Sequence, residues 1–365
     1  MKTGIPQPQP TRHRTNPAGL LSERLREEIA SEADALDRGE LQARRVLPAL
    51  AGEGLLDLGA PANTDGELEA MAAVVSALAE RCMSSAFTTW AHRMTIEYLA
   101  IAATPYAERM LPLLRSGRMP GITGMASSFR DLAGCGSLEI TATADGDGYL
   151  LNGPIRWASN LHDDALLVTG ARTDKGDKVI VALPLDTPGI KVGKSFSLLA
   201  LGSTASSFLS LTDVRITAEQ VLTHDFEGFL TSVRPTFMVL QTAMCLGLAR
   251  TCLTQARACL LGVNAVFATE VEAMAGKLAL VNAAMLKSAH GVGGLIPPTR
   301  AELLALRLAA AEVATGAATL EAKTAGGKGY AGSSGTSRRY REAAFIPVQS
   351  PSESQLRWEL AACGQ

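Results

Sequence analysis

The sequence predicts an α+β chain with helical domains at both ends and a β-domain between them. Three observations carry this. Apolar residues recur at three- and four-residue steps from Leu20 to about Leu114. From Pro120 the pattern changes to short apolar runs divided by turn sequences. At about Phe226 the helical period returns and persists to the end. At 365 residues the chain exceeds one compact core, so several packed layers are expected.

Residues 1–17 are polar and proline-rich, reading as a disordered arm without the apolar stretch of a signal peptide. The N-terminal helical domain, residues 18–117, begins with Leu21, Leu25 and Ile29, then Leu36, Leu41, Val46, Leu47 and Leu50. Ala51-Gly52-Glu53-Gly54 breaks that pattern, and Gly59-Ala60-Pro61 opens a short loop. Leu68–Ala103 is apolar on nearly all sides, which predicts a buried helical region. In the middle domain, residues 118–224, strands are expected at Leu138–Ala144, Tyr149–Asn152, Leu166–Ala171, Val179–Pro184 and Phe208–Val214. Turn sequences such as Asp145-Gly146-Asp147-Gly148 and Thr187-Pro188-Gly189 separate them. Close spacing with hairpin turns predicts a small antiparallel barrel or sandwich. In the C-terminal domain, residues 225–365, long alanine- and leucine-rich helices are expected at Thr236–Val266, Glu270–His290 and Arg300–Lys323. Their weakly charged faces predict a bundle that also buries surface against another subunit.

Charge and composition exclude several function classes. A net charge of -2 and a pI of about 6.3 give no electrostatic reason for nucleic acid or an anionic membrane as partner. The longest apolar run, Phe237–Ala249, contains Gln241 and is too short to span a bilayer. The six cysteines form no C-x-x-C pair. Cys245, Cys252 and Cys259 recur every seven residues, which places them on one helix face as small buried hydrophobes. Neither a metal site nor a disulfide framework is expected, and a reducing cytoplasm fits. The five histidines form no H-x-x-x-H pair, and no G-x-S-x-G elbow is present. His92 falls in a buried helical context, where a hydrogen-bonded core role is expected.

Two stretches carry candidate chemistry. Gly326-Gly327-x-Gly329 follows a helix rather than a strand, so it is neither a P-loop nor a dinucleotide fingerprint. It reads either as a glycine C-cap or as backbone that approaches a phosphate closely. In Asn152–Asn160, Trp157 and Ser159 lie two residues apart on one strand face. They read as core and turn residues, or as an aromatic wall and a hydroxyl donor against a planar ring.

Together these pieces resemble the acyl-CoA dehydrogenase superfamily of flavoproteins, from about Leu20 to Arg357. The resemblance rests on Gly121-Ile122-Thr123, Leu151-Asn152-Gly153 with Trp157-Ala158-Ser159, Leu201-Gly202, Thr212-Asp213-Val214, Arg234-Pro235, Gly326-Gly327-x-Gly329-Tyr330 and Arg341-Glu342-Ala343, in that order. It implies an N-terminal helical domain, a middle β-domain and a C-terminal four-helix bundle, with FAD (or FMN) between the last two. It further implies a homodimer or homotetramer and an acyl thioester, on CoA or a carrier protein, as substrate. By the same resemblance Thr123 contacts the flavin's pyrimidine edge, Trp157 packs beside the ring and Ser159 bonds near N5. Ser128 takes the place of a phosphate-facing serine, Arg234 belongs to the substrate site, and Gly326 and Gly327 meet the pyrophosphate of a neighbouring subunit's flavin.

The sequence departs from the family pattern at four places. The T-E-P-G-x-G-S-D loop is replaced by Thr123–Asp131, without its acidic-proline-glycine core. The R-x-x-F-G motif is absent from the Arg257–Phe267 region. The usual catalytic glutamate falls on Ser350, and the alternative position just before Arg234 holds Val233. A serine without a partner base has too little basicity to take an α-proton. Glu353 is the nearest carboxylate in sequence, but Ser350-Pro351-Ser352-Glu353 also reads as a capping box, with Ser350 at N-cap, Pro351 at N1 and Glu353 at N3. Three roles follow from the resemblance. The chain is a dehydrogenase with Glu353 or another group as base, a flavin monooxygenase with His92 serving the flavin, or a base-less partner subunit.

Overall fold

A computed structural model describes residues 20–60, 62–64 and 66–363; the arm expected at residues 1–17, and Pro61 of the first loop, lie outside the described residues. Helix α1 (Glu23–Asp37) starts where the Ser22 hydroxyl accepts from the Leu25 amide, and it buries Leu25, Ile29, Ala33 and Leu36. After α2 (Val46–Gly52), the region apolar on all sides forms two helices, α3 (Glu67–Ala79) and α4 (Met83–Ala102). Every residue of α4 from Met83 to Ala100 is buried, which explains the missing polar face. Thr104 caps α5 (Pro105–Arg115), with Pro105 in the first turn.

The chain then enters the sheet through β1 (Gly121–Gly124) and α6 (Ala126–Leu132). The later strands are β2 (Thr141–Asp145), β3 (Gly148–Ala158), β4 (Leu166–Thr173), β5 (Lys178–Pro184), β6 (Ile190–Val192), β7 (Ser207–Ile216) and β8 (Val221–Thr223). They form one eight-stranded sheet in the order β6-β7-β3-β2-β4-β5-β8, with β1 beside β4. The expected β2–β3 hairpin is present, in register from Asp145↔Gly148. The sheet is mixed where an antiparallel one was expected, because β1 and β2 both pair in parallel with β4. Intervening elements return the chain in the same direction, as parallel neighbours require.

β4 and β5 lie between the molecule's two cores. Leu166, Val168, Ile180 and Ala182 join the core shared by both helical regions, whereas Leu167, Ala171, Val179, Val181 and Leu183 join the sheet's own core. The alternation follows from the two-residue period of a strand. Burial on both faces explains the continuous apolar runs.

The C-terminal region comprises α7 (Phe226–Ala258), α8 (Ala268–Gly291), α9 (Arg300–Tyr330), α10 (Gly335–Phe345) and α11 (Glu353–Ala362). α7 starts at Phe226 and ends at Ala258, not at Thr236 and Val266, because the Asp225 carboxylate caps it by accepting from the Gly228 amide and Pro235 is accommodated inside. As a result Cys245 and Cys252 are buried on α7, but Cys259 lies past its last turn, so the expected three-cysteine face has only two members. α7 and α9 are long and apolar enough to cross a bilayer, and 89% and 61% of their most apolar windows are buried inside the molecule. Thr299 and Glu302 make a reciprocal capping box at the start of α9.

Candidate active site

A cavity of about 550 Å³ opens where the sheet, α4, α7 and the loop between α10 and α11 meet. Four of the predicted site residues reach it: Thr123, Trp157, Ser159 and Ser350. Thr123 is carried on β1, which squeezes between α4 and β4; a Cβ at Gly121 would strike Thr95, and one at Gly124 would strike Leu167. Its hydroxyl lies 2.9 Å from the Tyr98 hydroxyl. Burial pushes the Tyr98 phenol up, so it stays protonated.

Trp157 stands at the end of β3, half exposed at 51%, and packs on Phe196 with ring centroids 4.5 Å apart. A register shift between Ile155 and Ala158 re-aims this strand end at the cavity. Beside it the hydroxyls of Ser159, Ser206 and Thr204 form a chain, at 2.7 and 2.8 Å, that ends on the Leu201 carbonyl at 2.7 Å. Asn160 holds the strand end in place. Its backbone is left-handed (φ 61), and its amide donates to the Thr88 and Gly121 carbonyls. Phe87, Trp90, Phe237 and Phe345 make the apolar end, linked by ring contacts of 4.9 to 5.4 Å.

The Arg341–Ser350 segment closes the cavity. Arg341 pairs with Asp37 at 2.9 and 2.5 Å and donates to the Leu199 carbonyl. The Ser350 carbonyl accepts from the Gln241 amide at 2.9 Å, while its hydroxyl is buried without a partner. Among the described residues the lining contains no aspartate, glutamate or histidine.

The remaining predicted site residues lie elsewhere. His92 is fully buried in α4, its Nε2 donating to the Leu114 carbonyl at 3.1 Å and its Nδ1 accepting from the Gly121 amide at 3.0 Å. Both ring nitrogens are therefore committed to backbone, so the monooxygenase role expected for His92 is corrected to a core role. Glu353 is bonded to Arg357 at 2.9 and 2.8 Å and does not line the cavity. The capping expectation shifts as well: Ser352 is the N-cap of α11, its hydroxyl accepting from the Gln355 amide, because the Glu353 amide is already taken by the Pro347 carbonyl. Arg234 is buried in an ion pair with Glu359 at 2.5 Å, lies over the Phe129 ring and does not line the cavity. Ser128 is buried in α6 against Gly170, away from the cavity. Gly326 and Gly327 are exposed on α9, also apart from the cavity. Gly326 kinks the helix with φ 60 and ψ -149, and a Cβ at either glycine would meet nothing within 4 Å.

Sequence reasoning did not find Gln349, the Ser206–Thr204 hydroxyls or the Phe87–Trp90 wall. Each reaches the cavity only through long-range packing. The one local signal was Asn160, a residue type that tolerates left-handed backbone.

No protein-family model matches the chain. It is 29% identical over 233 residues to the mitochondrial short-chain specific acyl-CoA dehydrogenase of Bos taurus, 58% of this chain and 55% of that protein. It is 27% identical over 218 residues to cyclohexane-1-carbonyl-CoA dehydrogenase of Geobacter metallireducens, 57% of each. The chain thus spans about half the length of the curated relatives it matches. Butyryl-CoA dehydrogenase from Megasphaera elsdenii superposes over 100% of both chains with TM-score 0.85 at 20% identity. A glutaryl-CoA dehydrogenase from Mycobacterium smegmatis in complex with FADH2 superposes at 0.83, with 16% identity and 95% and 96% coverage. KijD3 in complex with dTDP superposes at 0.80, with 21% identity and 96% and 97% coverage. The class these features define is a three-part fold of helical domain, sheet and helical bundle. The chain is similar in sequence to acyl-CoA dehydrogenases and shares the acyl-CoA dehydrogenase fold.

Proposed function

We propose that the chain is a flavin-dependent oxidoreductase whose reaction does not rely on a carboxylate of the Val348–Ser350 loop. The supporting observation is the cavity's lining: aromatic walls, neutral hydroxyls and amides, and one arginine already paired with Asp37. This set fits a flavin ring. Trp157 would pack beside it, Thr123 would bond its edge, and the Ser159–Ser206–Thr204 chain would hold a donor at its reacting side. Gly326 and Gly327, open on the surface, would admit the pyrophosphate of FAD bound mainly by an adjoining subunit. Bound flavin would accept hydride or, when reduced, activate dioxygen. The aromatic end would exclude water around the substrate.

Of these chemistries the lining favours oxygen activation on a small organic substrate, since α,β-dehydrogenation needs a group to take the α-proton. The test is to reduce the bound flavin anaerobically, admit oxygen with candidate substrates, and look for oxygen incorporated into product. Uncoupled flavin reoxidation with every substrate would count against it. Dehydrogenation of an acyl thioester is the second reading, favoured by the sequence relatives. It predicts anaerobic bleaching of the flavin by short acyl-CoA thioesters. Absence of bleaching across a chain-length series would eliminate it.

A further inference from the structure

We propose that Gln349 and Ser350 form a hydrogen-bond-donor pair that receives an oxyanion of the ligand, a carboxylate or its equivalent, and that Arg307 is the positioning residue that aims them. Arg307 lies on α9 and is wholly buried. Its Nε donates to Gln241 Oε1 at 3.2 Å, and its Nη2 donates to the Ile346 carbonyl at 3.0 Å and Gln349 Oε1 at 3.4 Å. Its Nη1 has no partner, and among the described residues no carboxylate bonds to it. A buried guanidinium without a counter-charge is costly, so its surroundings favour an anion.

A guanidinium only donates, which dictates how the two glutamine amides sit. Gln241 turns Oε1 to Arg307 and gives Nε2 to the Ser350 carbonyl at 2.9 Å. Gln349 turns Oε1 to Arg307, which directs its Nε2 away from the cation. Both glutamines thus lock the Ile346–Ser350 loop onto the cavity wall. Two donors remain in that wall, Gln349 Nε2 and the Ser350 hydroxyl, each buried and unpartnered. Two unmet donors beside an unneutralised cation call for an oxygen acceptor with negative charge. Arg341, the other guanidinium at the cavity, already has Asp37 and makes no such demand.

The inference rests on reading this cavity as the ligand pocket. Flavin retention is scored separately by absorbance, so the two readings fail independently. The full-length protein as purified is titrated calorimetrically with hexanoate and with hexan-1-ol, which share a tail and differ in the head group. Hexanoate should bind at least about tenfold more tightly, the effect of a hydrogen bond to a charged group. Gln349→Leu should erase that difference and leave hexan-1-ol little changed. Gln349→Glu would give Arg307 its missing carboxylate, so melting temperature should rise while hexanoate binding is lost. Equal binding of the two probes, or no binding of hexanoate, overturns the proposal. So does a preference that survives Gln349→Leu but vanishes in Arg341→Gln, or a melting temperature that falls in Gln349→Glu.

Discussion

His92 shows how a single side chain can be settled by its partners. Nδ1 accepts from the Gly121 amide and Nε2 donates to the Leu114 carbonyl, so only the neutral ring satisfies both. Burial, reinforced by the Arg93 guanidinium, pushes the imidazole down to about 4. In the unfolded chain the same group takes its proton near pH ~6.5. Between those values the unfolded state binds the extra proton. The stabilisation is therefore complete above about pH 6.5 and is lost as pH falls toward about 4, a change of roughly 3 kcal/mol. His162, lowered to about 4 by burial first and then by Arg44, titrates in the same window. Urea unfolding followed from neutral pH downward should show this decline. His92→Gln should flatten part of it, and an unchanged slope would refute the assignment. At the cavity, Thr123→Val removes the bond to Tyr98 and should cost about 1 kcal/mol, read by the same method.

At the scale of elements, the ends of α9 and α11 make separable predictions. Ser352 caps α11, whereas Ser350 spends its carbonyl on Gln241 and leaves its hydroxyl to the cavity wall. Ser352→Ala should lower stability by about 1 kcal/mol, and Ser350→Ala should change it by only a few tenths. Equal losses would restore Ser350 as the cap. Gly326 holds φ 60 and ψ -149, a conformation essentially confined to glycine. Because a Cβ there meets no atom within 4 Å, the cost of Gly326→Ala is purely backbone, about 1–3 kcal/mol. Gly327→Ala has no positive φ to oppose it and should be near neutral for stability. If these glycines admit a pyrophosphate, both variants should also retain less flavin on gel filtration.

Across the whole molecule, α7 and α4 hold the helical regions together, and β4 and β5 divide the two cores. α8 and the segments flanking it are different, for Val263, Leu280, Leu295 and Ile296 are all largely exposed. Such apolar surface on a helical bundle predicts burial against another copy. Light scattering should return a mass of two or four chains, and Leu280→Lys should shift it toward one. A monomer in the unmodified protein would refute that expectation.

Periodicity made the helix–sheet–helix order legible, because burial of one face imposes a repeat of 3.6 or 2 on the residues themselves. Trp157 with Ser159 was legible for the same local reason, whereas Ser350 was reached only through the family resemblance. The sequence by itself also determined that Val348-Gln349-Ser350, the loop that closes the cavity, carries no carboxylate. Strands β1, β6 and β8 were not legible, since three or four residues are too few to display a period. Only the tertiary structure decided which hydroxyls face the cavity, that His92 serves the backbone, and that Arg307 is buried beside Gln349 without a carboxylate partner among the described residues. These are contacts between residues far apart in sequence, as in the bond from Arg307 to Gln241, 66 positions away. Local propensity carries no information about them; the packing of α4, α7 and α9 does.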